Sequence, residues 1–322
     1  MNVLVTGGAG FVGSHTIRKL LERGDKVVCI DDFNGFNNPK IKEDRIRDFP
    51  VDDFKLFRAD ITDFQMLQNI FEYNDIEAII HLAARAGVRN SIEDPRLYSE
   101  VNVAGTIHLL ELAKKHAINH FVFASSSSVY GGNKKVPFSE EDAVDYPISP
   151  YATTKRAGEL SCHTYHHLFG MNIACLRFFT VYGPWGRMDM APYKFTDLIA
   201  KGQSIEMYGD GTSERDYTYI DDVVSGVLAA LELVQKNEPV FEIFNLGNSQ
   251  TVPLKKFISL ISKNLGQEAK IIKKPMQPGD MKITYADITK AKKLLGYDPQ
   301  TSIEEGLQNL VKWYQQEAFK KY

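Results

Sequence analysis

An apolar, β-branched run at residues 3–5 gives way at once to Gly7, Gly8, Gly10 and Gly13, after which residues 14–23 carry helical spacing. This order of strand, glycine turn and helix narrows the possible folds more than any other feature of the chain. Glycine at such a crossing lets the chain turn tightly, lets backbone N–H groups approach a pyrophosphate and lets the helix lie close to the strand, while the helix amino terminus favours an anion. Gly7, Gly10 and Gly13, with Phe11 and Val12 between them, are therefore a candidate dinucleotide cradle.

The pattern then repeats. Short apolar runs at 26–30, 54–58, 78–81, 120–124 and 172–177 alternate with amphipathic runs at 64–73, 102–116 and 151–170. Such alternation predicts an α/β chain built on a doubly wound parallel (Rossmann) sheet, with ligands at the carboxyl ends of the strands. From Tyr182 onward GPWGR, GDGTSERD and QPGD separate shorter elements, before a last helix near 302–319. Single cores stop growing at about 250–300 residues, so the 322-residue chain is expected to divide. The division expected is a nucleotide-binding domain over 1–180, rejoined by a segment of about 219–247, and a smaller mixed substrate lobe over 181–322.

Composition removes several alternatives. Hydrophobic residues at 43% and charged residues at 25% exclude a mainly disordered chain. Lys and Arg number 38 against 41 Asp and Glu, so no global basic field exists to hold nucleic acid or anionic lipid. No apolar run reaches the length of a membrane span, and the first residues lack the pattern of a secretory leader. Cys29, Cys162 and Cys175 are odd in number and far apart, which suits buried thiols in a reducing compartment rather than a disulfide framework. A cytoplasmic protein without nucleic-acid or membrane partners is expected.

The second strand sharpens the nucleotide reading. It ends at Asp31, eighteen residues beyond Gly13. A carboxylate there accepts hydrogen bonds from adenosine ribose hydroxyls and repels a 2′-phosphate, which selects NAD over NADP. Asp32 is placed to share that role, and Asp60 and Ile61, after the third strand, to meet the adenine edge.

A second cluster follows the strand at 120–124: Ser125, Ser126, Ser127, Ser128, Val129, Tyr130 and Gly131. Downstream, Pro150 suits the first turn of a helix on which Tyr151 and Lys155 fall at i, i+4 and so share a face. A free phenol titrates near about 10 and is a poor base at neutral pH. An adjacent ammonium and a cationic nicotinamide favour the phenolate and bring the group toward working range.

With these residues in view, the chain resembles the extended short-chain dehydrogenase/reductases, in their nucleotide-sugar epimerase and dehydratase group. The resemblance rests on GGAGFVG, Asp31, HLAA at 81–84, Asn102, SSSSVYG, Tyr151 and Lys155, RFFTVYGP, RDYTYIDD at 215–222 and QPGD at 277–280, and it spans essentially the whole chain. It implies that Ser126 bonds a sugar hydroxyl, that Tyr151 is the base, and that Lys155 holds the ribose and tunes Tyr151. Asn102 joins the cofactor set, and Arg215 and Asp280 contact the nucleotide phosphates and uridine ribose. It also implies a homodimer joined through the helices at 102–116 and 151–170.

Sugar dehydratases of the group carry Asp-Glu where this chain has Ser127 and Ser128, and the decarboxylases keep a Glu at the second position. Without a second acid/base, the chemistry left is proton removal at O4, hydride transfer from C4 to NAD and hydride return; rotation of the 4-keto sugar in between inverts the centre. Thr180, Arg187 and the segment before Asp280 resemble the UDP-glucuronate 4-epimerases, with arginine the physical choice for a C6 carboxylate. Arg187 is the candidate for that contact, with Thr180, Ser127 and Ser128 orienting the group, although an arginine serves a phosphate or a nearby acid equally well. Arg85 and Arg89 add positive potential or pair with Glu93 or Asp94. The other readings open at this level are a 4-epimerase of UDP-glucose or UDP-N-acetylglucosamine and a non-catalytic NAD-binding module. His163, His166 and His167 share a helix face without a carboxylate or thiol partner at convincing spacing, so no metal site is expected.

Overall fold

The computed structural model describes residues 1–35, 38–236, 239–276, 281–319 and 321–322. The apolar runs become β1 (Asn2–Thr6), β2 (Lys26–Asp31), β3 (Phe54–Arg58), β4 (Ala78–His81), β5 (His120–Ser126) and β6 (Asn172–Phe178). After them come β7 (Thr180–Tyr182), β8 (Ser204–Tyr208), β9 (Glu214–Tyr219), β10 (Phe241–Leu246), β11 (Thr251–Pro253) and β12 (Lys270–Lys274). Seven of these form one sheet, every pair parallel, in the order β10-β6-β5-β4-β1-β2-β3. The order reverses between β1 and β4, and a crevice opens at the carboxyl ends there.

Helices cover both faces of this sheet. Along β1, Val3 and Val5 enter one core and Leu4 the other, as the two-residue period of a strand requires. The helix Ile220–Val234 packs on β5 and β6, and β10 then pairs with β6 at the edge of the sheet. The remaining strands make two small sheets: a mixed one, β11-β9-β7, and a parallel pair, β12-β8.

Local chemistry sets the element that carries the Tyr/Lys pair. Helix Pro150–Phe169 starts with Ser149, whose side chain accepts from Ala152 N at 3.1 Å, and with Pro150 in the first turn. It stops at Gly170, which takes φ +69°. Two expectations needed revision. The first helix runs Phe11–Glu22, not from Ser14, because Gly13 lies inside the helix, pressed against the turn. The helix expected over 102–116 is the end of a longer run: Val88–Glu93, Pro95–Ser99, a π turn Glu100–Ala104 and Gly105–Lys115. Asp94-Pro95 breaks the periodicity, and Asp94 caps the restart by accepting from Leu97 N at 3.1 Å.

A buried polar network lies under the serine turn. Arg177 donates to Glu159 Oε1 at 2.8 Å and Oε2 at 3.0 Å, and to the Tyr130 hydroxyl at 3.0 Å. Ser125, at the end of β5, donates to the same Glu159 at 2.6 Å. Removing one partner of such a buried pair leaves an uncompensated charge and costs about 3–5 kcal/mol. Arg177→Met should therefore lower the thermal unfolding midpoint by about 5 °C or more, read by differential scanning calorimetry; an unchanged midpoint would show the network to be dispensable.

Candidate active site

A cavity of about 760 Å³ opens at the carboxyl ends of the central strands. Its floor is the glycine turn. Gly7 takes φ +68°, and a Cβ there would lie 2.7 Å from Ala83 N; one on Gly13 would lie 2.3 Å from the Gly7 carbonyl. Helix Phe11–Glu22 begins at Gly10 with no side-chain cap, so its first N–H groups are left for an anion. The geometry fits a dinucleotide pyrophosphate, and Phe11, Val12, Asp60 and Ile61 line the same wall. Asp60 itself accepts from Thr62 N and Oγ1, both at 2.9 Å, which fixes the turn after β3.

Asp31 sits where the nucleotide reading put it, with most of its capacity already used. It accepts from Ala9 N at 3.1 Å, from Phe33 N at 3.0 Å and from Lys42 Nζ at 2.7 Å. Lys42, from the helix Pro39–Ile46, also reaches Asp32 at 3.4 Å. Sequence reasoning missed this lysine, because PKIKEDRI reads as a solvated polar segment; only the fold buries Lys42 and Arg45.

At the other end, Ser126 caps the 3₁₀ turn Ser127–Tyr130 by accepting from Ser128 N at 3.2 Å. Its hydroxyl lies near Tyr151 and favours the phenolate there. Burial pushes the Tyr151 phenol up, while the Ser126 hydroxyl and the positive charge of Arg187 act the other way. Lys155 is buried and donates to the Ala124 carbonyl at 2.6 Å, and desolvation pulls it down to about 8. Arg187, on the same cavity wall, is a cation that favours the phenolate of Tyr151. Tyr98, a residue no sequence signal marked, stands edge-on to Tyr151 with centroids 6.2 Å apart and donates to the Ala86 carbonyl at 2.9 Å.

The remaining candidates divide. Ser127, Ser128, Thr180, Arg89, Arg187 and Arg215 all line the cavity. Among the described residues the buried Ser128 hydroxyl finds no hydrogen-bond partner, which leaves it open to a ligand. Arg187 forks onto Asp189 at 3.0 and 2.6 Å, so its guanidinium already grips a planar carboxylate. Arg85 reaches Asp32 at 3.4 Å, and Arg89 lies over the Tyr208 ring at 5.2 Å, spanning from the large sheet's side to β8. Arg215 donates to the Glu214 carbonyl at 2.9 Å. The Asn102 carboxamide accepts from Arg85 N at 2.7 Å and donates to Arg85 O and Thr154 Oγ1, each at 3.0 Å, and so braces the loop after β4. Asp280 lies outside the described residues. Among the described residues no group of three His, Cys, Asp or Glu could hold a metal, and no helix is long and apolar enough to cross a membrane.

The family model described as GDP-mannose 4,6 dehydratase matches residues 4–310. The chain belongs to that family. Within it, a UDP-glucuronate 4-epimerase of Thermodesulfobacterium geofontis is 44% identical over 96% of this chain and 95% of its own. The crystal structure of the UDP-glucuronic acid 4-epimerase of Bacillus cereus with UDP-glucuronic acid and NAD superposes with a TM-score of 0.90 at 38% identity, covering 98% of this chain and 99% of that one. A UDP-glucose 4-epimerase of Thermotoga maritima with UDP-glucose gives 0.88 at 33%, covering 98% and 99%.

If Tyr151 is the base, turnover should rise with pH through and above neutrality, since burial raises the pH at which the phenolate forms. Ser126→Ala removes a hydroxyl that favours the phenolate and should move that rise to higher pH. A pH profile of kcat measures this; an unmoved profile would take Ser126 out of the tuning of Tyr151.

Proposed function

We propose that the protein is a UDP-glucuronate 4-epimerase, interconverting UDP-glucuronate and UDP-galacturonate. The observation that carries this reading is one cavity that brings Tyr151, with Ser126 beside it, together with a carboxylate-gripping arginine, Arg187, and serines at 127 and 128 where a dehydratase needs its acid and base. NAD, when bound, would take the C4 hydride and return it. Gly7, Gly10, Phe11, Val12, Gly13, Asp31, Asp60 and Ile61 are the residues proposed to hold it, with Lys42 and Lys155 at its riboses.

Tyr151 takes the O4 proton as oxidation proceeds and gives it back on reduction, so one group serves both half-reactions. Ser126 holds the same hydroxyl and steadies the phenolate. Between the two transfers the 4-keto sugar turns over, and an uncluttered wall of small hydroxyls at 126–128 leaves it room. The 4-keto acid is a β-keto acid, prone to lose carbon dioxide. Arg187, Thr180, Ser127 and Ser128 are proposed to keep its C6 carboxylate bound and polar, the condition that opposes decarboxylation. The carboxylate of Asp189 occupies the Arg187 fork in this structure and has the same planar, anionic shape as the substrate's. Arg89, Arg215 and Asp280 are assigned to the nucleotide end. In this scheme 1–180 with the returning segment of about 219–247 carries the cofactor and 181–322 the sugar nucleotide.

A second reading, a 4-epimerase of neutral UDP-sugars, is favoured by that same fork, because an arginine satisfied by Asp189 does not require a substrate acid. A non-catalytic NAD-binding module is disfavoured by the intact Ser126, Tyr151 and Lys155. We also propose a homodimer, supported by Ile107, Leu160, Leu168 and Phe169, which stand exposed on the helices Gly105–Lys115 and Pro150–Phe169. A cytoplasmic location is supported by three free, buried cysteines.

The test is Arg187→Leu, assayed on UDP-glucuronate and UDP-glucose with products and released carbon dioxide resolved. The expected result is a KM for the acid raised by about ten-fold or more, the size of a lost charge-assisted contact, with more decarboxylation and a smaller loss toward the neutral sugar, whose turnover still feels the lost charge at Tyr151. Unchanged turnover and products on the acid would move Arg187 to a structural role and favour the neutral-sugar reading.

A further inference from the structure

Arg45 is 3% exposed, and its guanidinium is spent on backbone carbonyls from two separate parts of the chain. Nη1 donates to the Ala9 carbonyl, in the glycine turn, at 3.2 Å. Nε and Nη2 donate to the Trp185 carbonyl at 3.1 and 2.5 Å, and Nη2 also to Gly186 O at 3.4 Å. Burial pulls the group down to about 10, which leaves it charged at neutral pH. A charged fork closed on neutral carbonyls is an expensive arrangement, and it persists only where it holds something in place.

What it holds is strained. Trp185 has φ +62°, in the left-handed region that a bulky side chain rarely adopts. Its ring is seated on Trp313 with centroids 5.1 Å apart, and Gly186 N donates to Gly183 O at 3.2 Å. Two residues beyond the strained position comes Arg187, on the cavity wall. On the other side, Ala9 N donates to Asp31 at 3.1 Å, and Gly10 starts the helix whose free N–H groups face the pyrophosphate position.

We propose that Arg45 is a positioning residue, a strut that locks the Trp185 turn to the glycine turn and so places Arg187 by reference to the bound dinucleotide. The distance between the hydride-transfer end and the carboxylate contact is then set by one buried side chain on the cavity wall, bonded to both turns. This rests on the assignment of Arg187 to the substrate carboxylate.

The two tryptophans of the chain, Trp185 and Trp313, meet at this joint, so near-ultraviolet circular dichroism reads the turn without reference to substrate. The experiment compares the NAD-loaded protein with Arg45→Met and Arg45→Lys. For Arg45→Met the expected result is an altered tryptophan signal and a KM for UDP-glucuronate raised by about ten-fold, with NAD content and affinity for UDP alone unchanged. Arg45→Lys keeps the charge but not the fork, should fall between the two, and carries the test if the methionine variant does not fold. Wild-type dichroism and KM in both variants would overturn the proposal. So would a parallel loss of NAD, UDP affinity and KM, because Arg45 would then only support the fold. If the wild-type protein does not act on UDP-glucuronate, the assigned reaction fails, and the dichroism alone decides the strut.

Discussion

The site is built on the contact between the glycine turn and the helix that follows it. A Cβ on Gly13 would lie 2.3 Å from the Gly7 carbonyl and 2.7 Å from Gly8 Cα, and one on Gly7 would strike the Ala83 backbone. Helix Phe11–Glu22, the end of β1 and the loop after β4 can be this near only because none of these positions carries a side chain. The crevice between β1 and β4 takes its shape from that approach, and the uncapped helix end points into it. Ala9 ties the turn sideways to Asp31 of β2, and the Ala9 carbonyl takes the buried guanidinium of Arg45. Both ends of the cavity are therefore measured from one stretch of glycine backbone.

The chemistry depends on groups held away from water. Burial shifts the Tyr151 phenol up and the Lys155 ammonium down, each against its charged form. Such groups stay useful because their neighbours are fixed. Glu159 and Arg177 anchor Ser125 from below, which places Ser126 one residue on beside the phenol. On the far lobe, Asp216 is fully buried, accepts from the backbone of Asn248, Ser249 and Ala286, and is held at about 6 by desolvation. It pins the loops behind Arg215, a buried acid held by backbone donors where Glu159 is held by side chains.

How much of this could be read from the sequence follows from the range of each signal. The strands β1–β6 and the helix bearing Tyr151 and Lys155 were legible, because buried parallel strands read as apolar runs and Ser149, Pro150 and Gly170 mark a helix locally. The glycine turn was legible because its backbone demands leave few residue choices. Helix Pro39–Ile46 was not, since its sequence is polar and its Lys42 and Arg45 become buried only when Asp31, Ala9 and Trp185 surround them. Nor could the pairing of Arg187 with Asp189, two residues away, or the internal use of Asn102 be told from ligand contacts, because residue type does not reveal which partner a fork or an amide will find. The small lobe's two sheets read only as punctuation, their strands being short and mixed in polarity.

The central claim is that a single base and a retained cofactor oxidise and re-reduce the same carbon. UDP-glucuronate carrying deuterium at C4, turned over in ordinary water without added NAD and followed by mass spectrometry and NMR of the product, tests it directly. The account predicts UDP-galacturonate with its deuterium still at C4. Inversion with loss of deuterium to solvent, or no inversion even after NAD is supplied, would contradict it.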